Sequence, residues 1–156
     1  MKLAYCTLEG ETGHEAGRRL LRELYREATG EDLPPILKTP RGKPYFENSP
    51  WYFSISHTKH HAFCVLAREN IAIDAEELHR KVQPTLSERV LSAAEKAQFA
   101  VAEDQKRALL TFWVLKEAAA KLTGEGLRGF PNDTNFDLND PRVQEIDGCL
   151  VAIMTE

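Results

Sequence analysis

Apolar and polar positions along the chain change period several times, and each change marks an element. Met1 to Leu8 reads as a short strand. From Gly13 to Thr29 the residues Ala16, Leu20, Leu21, Leu24, Tyr25 and Ala28 recur at helical spacing, and Gly30 ends the run. Residues 32–47 form a connector rich in proline and glycine that contains GKPYF. Trp51 to His57 alternates as a strand and Ala62 to Arg68 makes another, with Thr58 to His61 closing a hairpin between them. Asn70 to Glu77 reads as a third strand. Ser87 to Glu103 is helical with a break near Ser92, and Asp104 to Thr123 is the strongest helix, stopped by Gly124. Asn135 to Leu138 and Cys149 to Met154 read as closing strands, and Asp147-Gly148 is a turn signal. Strand, helix, strands, then strand, helices, strands is an α+β order, and it hints at two similar halves joined near Glu69-Asn70.

Composition narrows the class of protein. The 156 residues suffice for one ordinary domain or two small fused halves, and 42% of them are hydrophobic. A net charge of −4 argues against a nucleic-acid binder that works through a basic face. No apolar run is long enough to span a bilayer, and the opening MKLAYCTLEGE lacks an apolar signal core. Cys6, Cys64 and Cys149 are odd in number and scattered in apolar surroundings, which fits reduced core cysteines rather than a disulfide framework or a zinc site. The expectation is a cytoplasmic protein with neither a nucleic-acid nor a membrane partner.

Candidate chemistry begins in NIAIDAEELHRK, residues 70–81. In a strand Ile71, Ile73 and Ala75 share one face, so Asp74 and Glu76 share the other, about 6.6 Å apart along the chain. Two like charges on one face raise each other's pKa unless a cation sits between them, and magnesium takes such oxygen ligands. A wet sheet edge is the plainer explanation for the pair alone. In TFWVLKEAAAKLTG, Trp113, Glu117 and Lys121 lie on one helix face at spacing i, i+4, i+8. As a surface pair, Glu117 and Lys121 would contribute only about 0.3–0.5 kcal/mol. The rest of this helix is apolar almost all round, so its few charges require compensation, which a metal shared by Asp74, Glu76 and Glu117 would provide.

Four separated motifs coincide with one family. Gly42-Lys43-Pro44, FSISHT at 53–58, IDAE at 73–76 and FWVLKEAAAKLTGEGL at 112–127 stand in the family's order and spacing. The chain resembles the 4′-phosphopantetheinyl transferases, of the Sfp-like type with two similar halves in one polypeptide, here in a shortened form. The resemblance implies an α+β fold of two similar halves, each a long helix packed on a small antiparallel sheet. It divides the chain at 1–69 and 70–156, with the active site between them. It implies transfer of the 4′-phosphopantetheine moiety of coenzyme A to a serine of an apo acyl or peptidyl carrier protein, with Mg2+ as cofactor. Carried over by residue, Asp74, Glu76 and Glu117 look like the magnesium ligands. Lys43 and His57 look like contacts to the coenzyme's phosphates, Ser56 like a residue lining the same pocket, and Lys121 like the cation that steadies the pyrophosphate. Glu117 or a metal-bound water would accept the serine proton. The carrier would dock on the helices around 87–106 and on the loop before them, where Arg80, Lys81, Arg89 and Lys96 supply positive charge.

Plainer roles stand beside these. His57 lies by alternation with Trp51, Phe53 and Ile55, as a core histidine would, and Lys43 follows a glycine as an exposed loop lysine would. Arg18, Arg19, Arg22 and Arg26 make the first helix basic, usually the mark of a solvated face. The acidic strand reads AIDAE where the family usually reads GIDIE. Two other functions compete with transfer: an inactive relative that holds coenzyme A or a carrier protein, and an unrelated magnesium-dependent phosphohydrolase.

Overall fold

The computed structural model describes residues 1–83, 85–126 and 134–156. Strand β1 (Lys2–Thr7) leads into helix α1 (Gly13–Thr29), which starts at a capping box: Thr12 Oγ1 accepts from Glu15 N–H while the Glu15 carboxylate accepts from Thr12 N–H. The proline-rich connector carries a short hairpin that its sequence does not announce, β2 (Ile36–Lys38) and β3 (Pro44–Phe46). Its strands are only three residues each, too short for an alternation to register. Strands β4 (Tyr52–His57) and β5 (His61–Ala67) form the expected hairpin, and β5 also pairs with β1, giving an antiparallel sheet in the order β1-β5-β4. Helix α1 covers one face of this sheet, with Leu20, Leu21 and Leu24 packed on Ala62, Cys64 and Leu66.

Strand β6 (Ile71–Glu77) opens a second antiparallel sheet, ordered β6-β8-β7, completed by β7 (Val143–Ile146) and β8 (Cys149–Thr155). The expected break near Ser92 separates helix α2 (Leu86–Val90) from α3 (Ala93–Val101), because Ser92 leaves the helix to cap α3 through a second capping box with Glu95. Helix α4 (Gln105–Thr123) lies on this sheet through Leu110, Val114, Leu115 and Ala118 against Leu150, Ala152 and Met154. Between the sheets, Phe63, Val65 and Ala67 of β5 meet Ile71, Ile73 and Ala75 of β6 and Val151 of β8. The layers therefore run α1, first sheet, second sheet, α4: an α+β fold of helices and antiparallel sheets.

Two expectations need correction. Residues 135–138 are not a strand: Phe136 N–H donates to Glu95 Oε2 at 2.9 Å and Leu138 N–H to Gln98 Oε1 at 3.1 Å. Side chains of α3 thus take the backbone donors that a strand would spend on a ladder. The closing partner of β8 is 143–146 instead, because Asp147 and Gly148, with φ of 50° and 77°, make a two-residue turn that needs its first strand immediately upstream. His57 is also no core histidine. It is exposed at the end of β4, with its ring against the backbone of Gly13, where a Cβ would approach to 2.4 Å.

Candidate functional site

The edge strand β4, the second half of α4 with the residues just after it, and the β2–β3 turn converge on one cavity of about 250 Å3. Phe53, Ile55, Pro44 and Ala120 give it apolar walls, and Arg41, Lys43, Glu117 and Lys121 bring charge to it. The turn carrying GKP is tight: Gly42 N–H donates to Thr39 O, and the φ of 91° at Gly42 lies where a side chain would be strained. Lys43 Nζ then reaches across to donate to Asn70 Oδ1 at 2.9 Å and to Leu122 O at 2.7 Å, so it holds the last turn of α4. Burial lowers its pKa from the ordinary lysine value. Gly124, which ends α4 with a φ of 74°, packs on the Lys43 stem, where an added Cβ would lie 3.0 Å from Cδ.

Strand β6 carries Asp74 and Glu76 and helix α4 carries Glu117, and each is held differently. Asp74 is 7% exposed. Its Oδ1 accepts from Lys121 Nζ at 2.9 Å and lies 3.5 Å from Ser56 Oγ, while its Oδ2 is buried with no hydrogen-bond partner. Burial pushes the Asp74 carboxyl up to about 6, with Glu76 adding to the shift and Lys121 and Ser56 opposing it. Glu76 is half-buried and accepts from Trp113 Nε1 at 3.1 Å and from Arg80 at 2.7 Å. Glu117 is pushed up to about 7, first by burial and then by the charges of Asp74 and Glu76, with Lys121 and Arg80 only partly offsetting them. Lys121 bridges the strands, donating also to Ile73 O at 3.0 Å and Ile55 O at 3.5 Å.

Of the residues singled out in the sequence, Lys43, Glu117 and Lys121 line the cavity, with Asp74 and Glu76 next to Lys121 and Glu117. Ser56 is buried and is not among the residues lining the cavity, and His57 faces solvent beside α1. Trp113 and Arg80 hold Glu76, a role the sequence expectations do not give them. The shared helix face of Trp113 and Glu117 was the available signal for the first, and the i, i+4 spacing of Glu76 and Arg80 for the second. Two of the four arginines on α1 are paired, Arg19 with Glu11 and Glu23, and Arg26 with Asp32.

The described residues contain no group of three His, Cys, Asp or Glu side chains already gathered for a metal. Their chemistry fits a cation nonetheless. An orphaned carboxylate oxygen on Asp74 and a Glu117 carboxyl whose acid neighbours disfavour its ionised form are both relieved by positive charge. Hard oxygen donors of this kind suit Mg2+ rather than a soft metal.

A family model, the 4′-phosphopantetheinyl transferase superfamily, matches residues 70–150, more than half of the chain. The match spans β6, α4 and most of the closing hairpin, the elements that carry Asp74, Glu76, Glu117 and Lys121. The chain belongs to the 4′-phosphopantetheinyl transferase superfamily. Among curated proteins, none matches the chain. No described helix is long and apolar enough to cross a membrane.

Proposed function

We propose that the protein is a cytoplasmic transferase of the Sfp-like type that moves the 4′-phosphopantetheine moiety of coenzyme A onto a serine of an apo acyl or peptidyl carrier protein. The observation that supports this reading is the position of Glu117 and Lys121 on the wall of a cavity bounded by the GKP turn, with Asp74 of β6 paired to Lys121. Units 1–69 and 70–156 act as duplicated halves, each with a long helix on a three-stranded antiparallel sheet, and the site lies where they meet.

Asp74, Glu76 and Glu117 would hold Mg2+, which when bound supplies positive charge to the pyrophosphate oxygens. Lys43, Arg41 and Lys121 stand on the cavity wall, where they would meet the coenzyme's phosphates. The carrier serine oxygen forms a bond to the phosphorus that bears the pantetheine arm. The bond from that phosphorus to the bridging oxygen breaks, and adenosine 3′,5′-bisphosphate leaves with the electron pair. Such transfers depend on positioning and charge neutralisation more than on covalent chemistry. Glu117, on the cavity wall, is the side chain of this chain that would take the serine proton. Apolar walls from Phe53, Ile55 and Ala120 keep water from competing with the serine.

One observation favours a second reading, a protein that binds coenzyme A or a carrier without transfer. Asp74 and Glu76 already have cationic partners in Lys121 and Arg80. Incubation with coenzyme A, magnesium and a panel of apo carrier proteins, read by mass, separates the two. Transfer predicts a gain of one phosphopantetheine; coenzyme binding without any gain across the panel would favour the second reading.

A further inference from the structure

The two sheets meet at β4 and β6, which are edge strands of different sheets with no backbone ladder between them. Side chains make the bonds across this seam. Ser54 Oγ accepts from Ile73 N–H and Ser56 Oγ accepts from Ala75 N–H, each at 3.1 Å, and both serines are buried. These two amides flank Asp74. The spacing explains the pattern: residues 54 and 56 point to one face of β4, while 73 and 75 turn their amides to the same edge of β6. On the other face, α1 fixes β4 by direct contact, since an added Cβ at Gly17 would lie 2.5 Å from Ile55 Cγ2.

We infer that Ser54 and Ser56 are positioning residues that dock β6 on β4 and so set where Asp74 and Glu76 stand against Glu117 and Lys121. Ser56 does this most directly: having accepted the Ala75 amide, its hydroxyl keeps one proton, and its nearest carboxylate oxygen is Asp74 Oδ1. Its acceptance of a β6 amide, away from the cavity wall, distinguishes this role from a contact with the coenzyme. The kinetic consequence rests on the transfer reading above, whereas the docking does not.

The test compares Ser56→Ala, Ser54→Ala and Ser56→Thr with the parent protein, by amide hydrogen exchange and by transfer kinetics. In Ser56→Ala the Ala75 amide should exchange about 10-fold faster or more while the amides of β8 keep their protection. The kcat should fall by about 10- to 100-fold, the range for residues that orient a functional ligand group, with KM for coenzyme A within about twofold. Ser54→Ala should free the Ile73 amide in the same way, and Ser56→Thr, which keeps the hydroxyl, should recover both protection and kcat. Unchanged exchange at Ala75 overturns the inference. So does a freed amide with unchanged kcat, or a raised KM at constant kcat, as loss of a coenzyme contact would give. Should the parent protein transfer nothing, the functional reading fails by itself. Exchange at Ala75, together with a several-fold weaker magnesium midpoint in Ser56→Ala by calorimetry, then decides the docking role, and an unchanged midpoint overturns it.

Discussion

Strand β6 carries two acidic neighbourhoods that differ in how fully their charge is answered. Glu77, at its end, accepts from Thr58 Oγ1 at 2.7 Å and from the backbone N–H of His60 at 2.8 Å, with the rings of His60 and His61 also facing it. Burial alone would raise its pKa, but these donors outweigh burial and hold it at about 2. Three residues earlier, Asp74 leaves one oxygen without a partner and sits at about 6, and Glu117 opposite sits at about 7. The contrast separates two uses of a carboxylate. A saturated one ties elements together, here the β4–β5 turn to the end of β6. An unsaturated one keeps capacity for a ligand, at a cost to the fold.

The largest effect expected from breaking this contrast is on activity. Asp74→Asn and Glu117→Gln should each lower transfer by more than about 100-fold, beyond the 10- to 100-fold typical of residues that only support a ligand. Glu117→Gln should not lower Tm in the absence of divalent cation, because it removes a charge that burial and its acid neighbours disfavour. Parent-like rates in either variant would remove the acid cluster from the mechanism. Glu77→Ala should do the reverse. It strips a partly covered set of donors of their acceptor, so unfolding free energy should drop by about 1–3 kcal/mol while the magnesium response persists. Denaturant titration beside calorimetry measures both.

The two neighbourhoods also predict opposite pH dependences. The pKa of Glu77 is lowered from 4.5 to about 2, so its contribution is present above about 4.5 and lost as pH falls toward 2. The pKa of Glu117 is raised from 4.5 to about 7, so the folded state binds more protons than the unfolded chain in that window. Its effect is a loss of stability as pH rises from about 4.5 through 7. Thermal melts of the parent protein, Glu77→Ala and Glu117→Gln across pH 3–8 test this: Glu117→Gln should flatten the slope between 5 and 7, and Glu77→Ala the slope below 4.5. A slope between 5 and 7 unchanged by Glu117→Gln would contradict the assignment. The smallest effect belongs to Arg80. Releasing Glu76 from this half-exposed partner, worth about 0–1 kcal/mol as a surface pair, should tighten magnesium binding by no more than a few-fold. A marked weakening in Arg80→Ala would instead make Arg80 a support of the site.

Much of the site could be read from the chain because its members sit at regular spacings on regular elements. Alternation in 70–77 put Asp74 and Glu76 together, and the helical spacing of 113, 117 and 121 put Glu117 and Lys121 on one face. What escaped depends on contacts between distant segments. Nothing near Lys43 in sequence shows that its ammonium will hold the end of α4 at Leu122. Lys116, next to Glu117, is buried in an ion pair with Glu95 at 2.8 Å, and nothing near either residue in sequence announces that pairing. Residues 135–138 misled because an apolar pair in a short run looks the same whether it joins a sheet or docks on a helix.

Calorimetric titration of the metal-free protein with magnesium at pH 7.5, repeated on Asp74→Asn, Glu117→Gln and Glu77→Gln, tests the central claim most directly. The account predicts saturable binding in the parent and in Glu77→Gln and its loss in the other two. Equal binding in all four, or none in the parent with coenzyme A present, would contradict it.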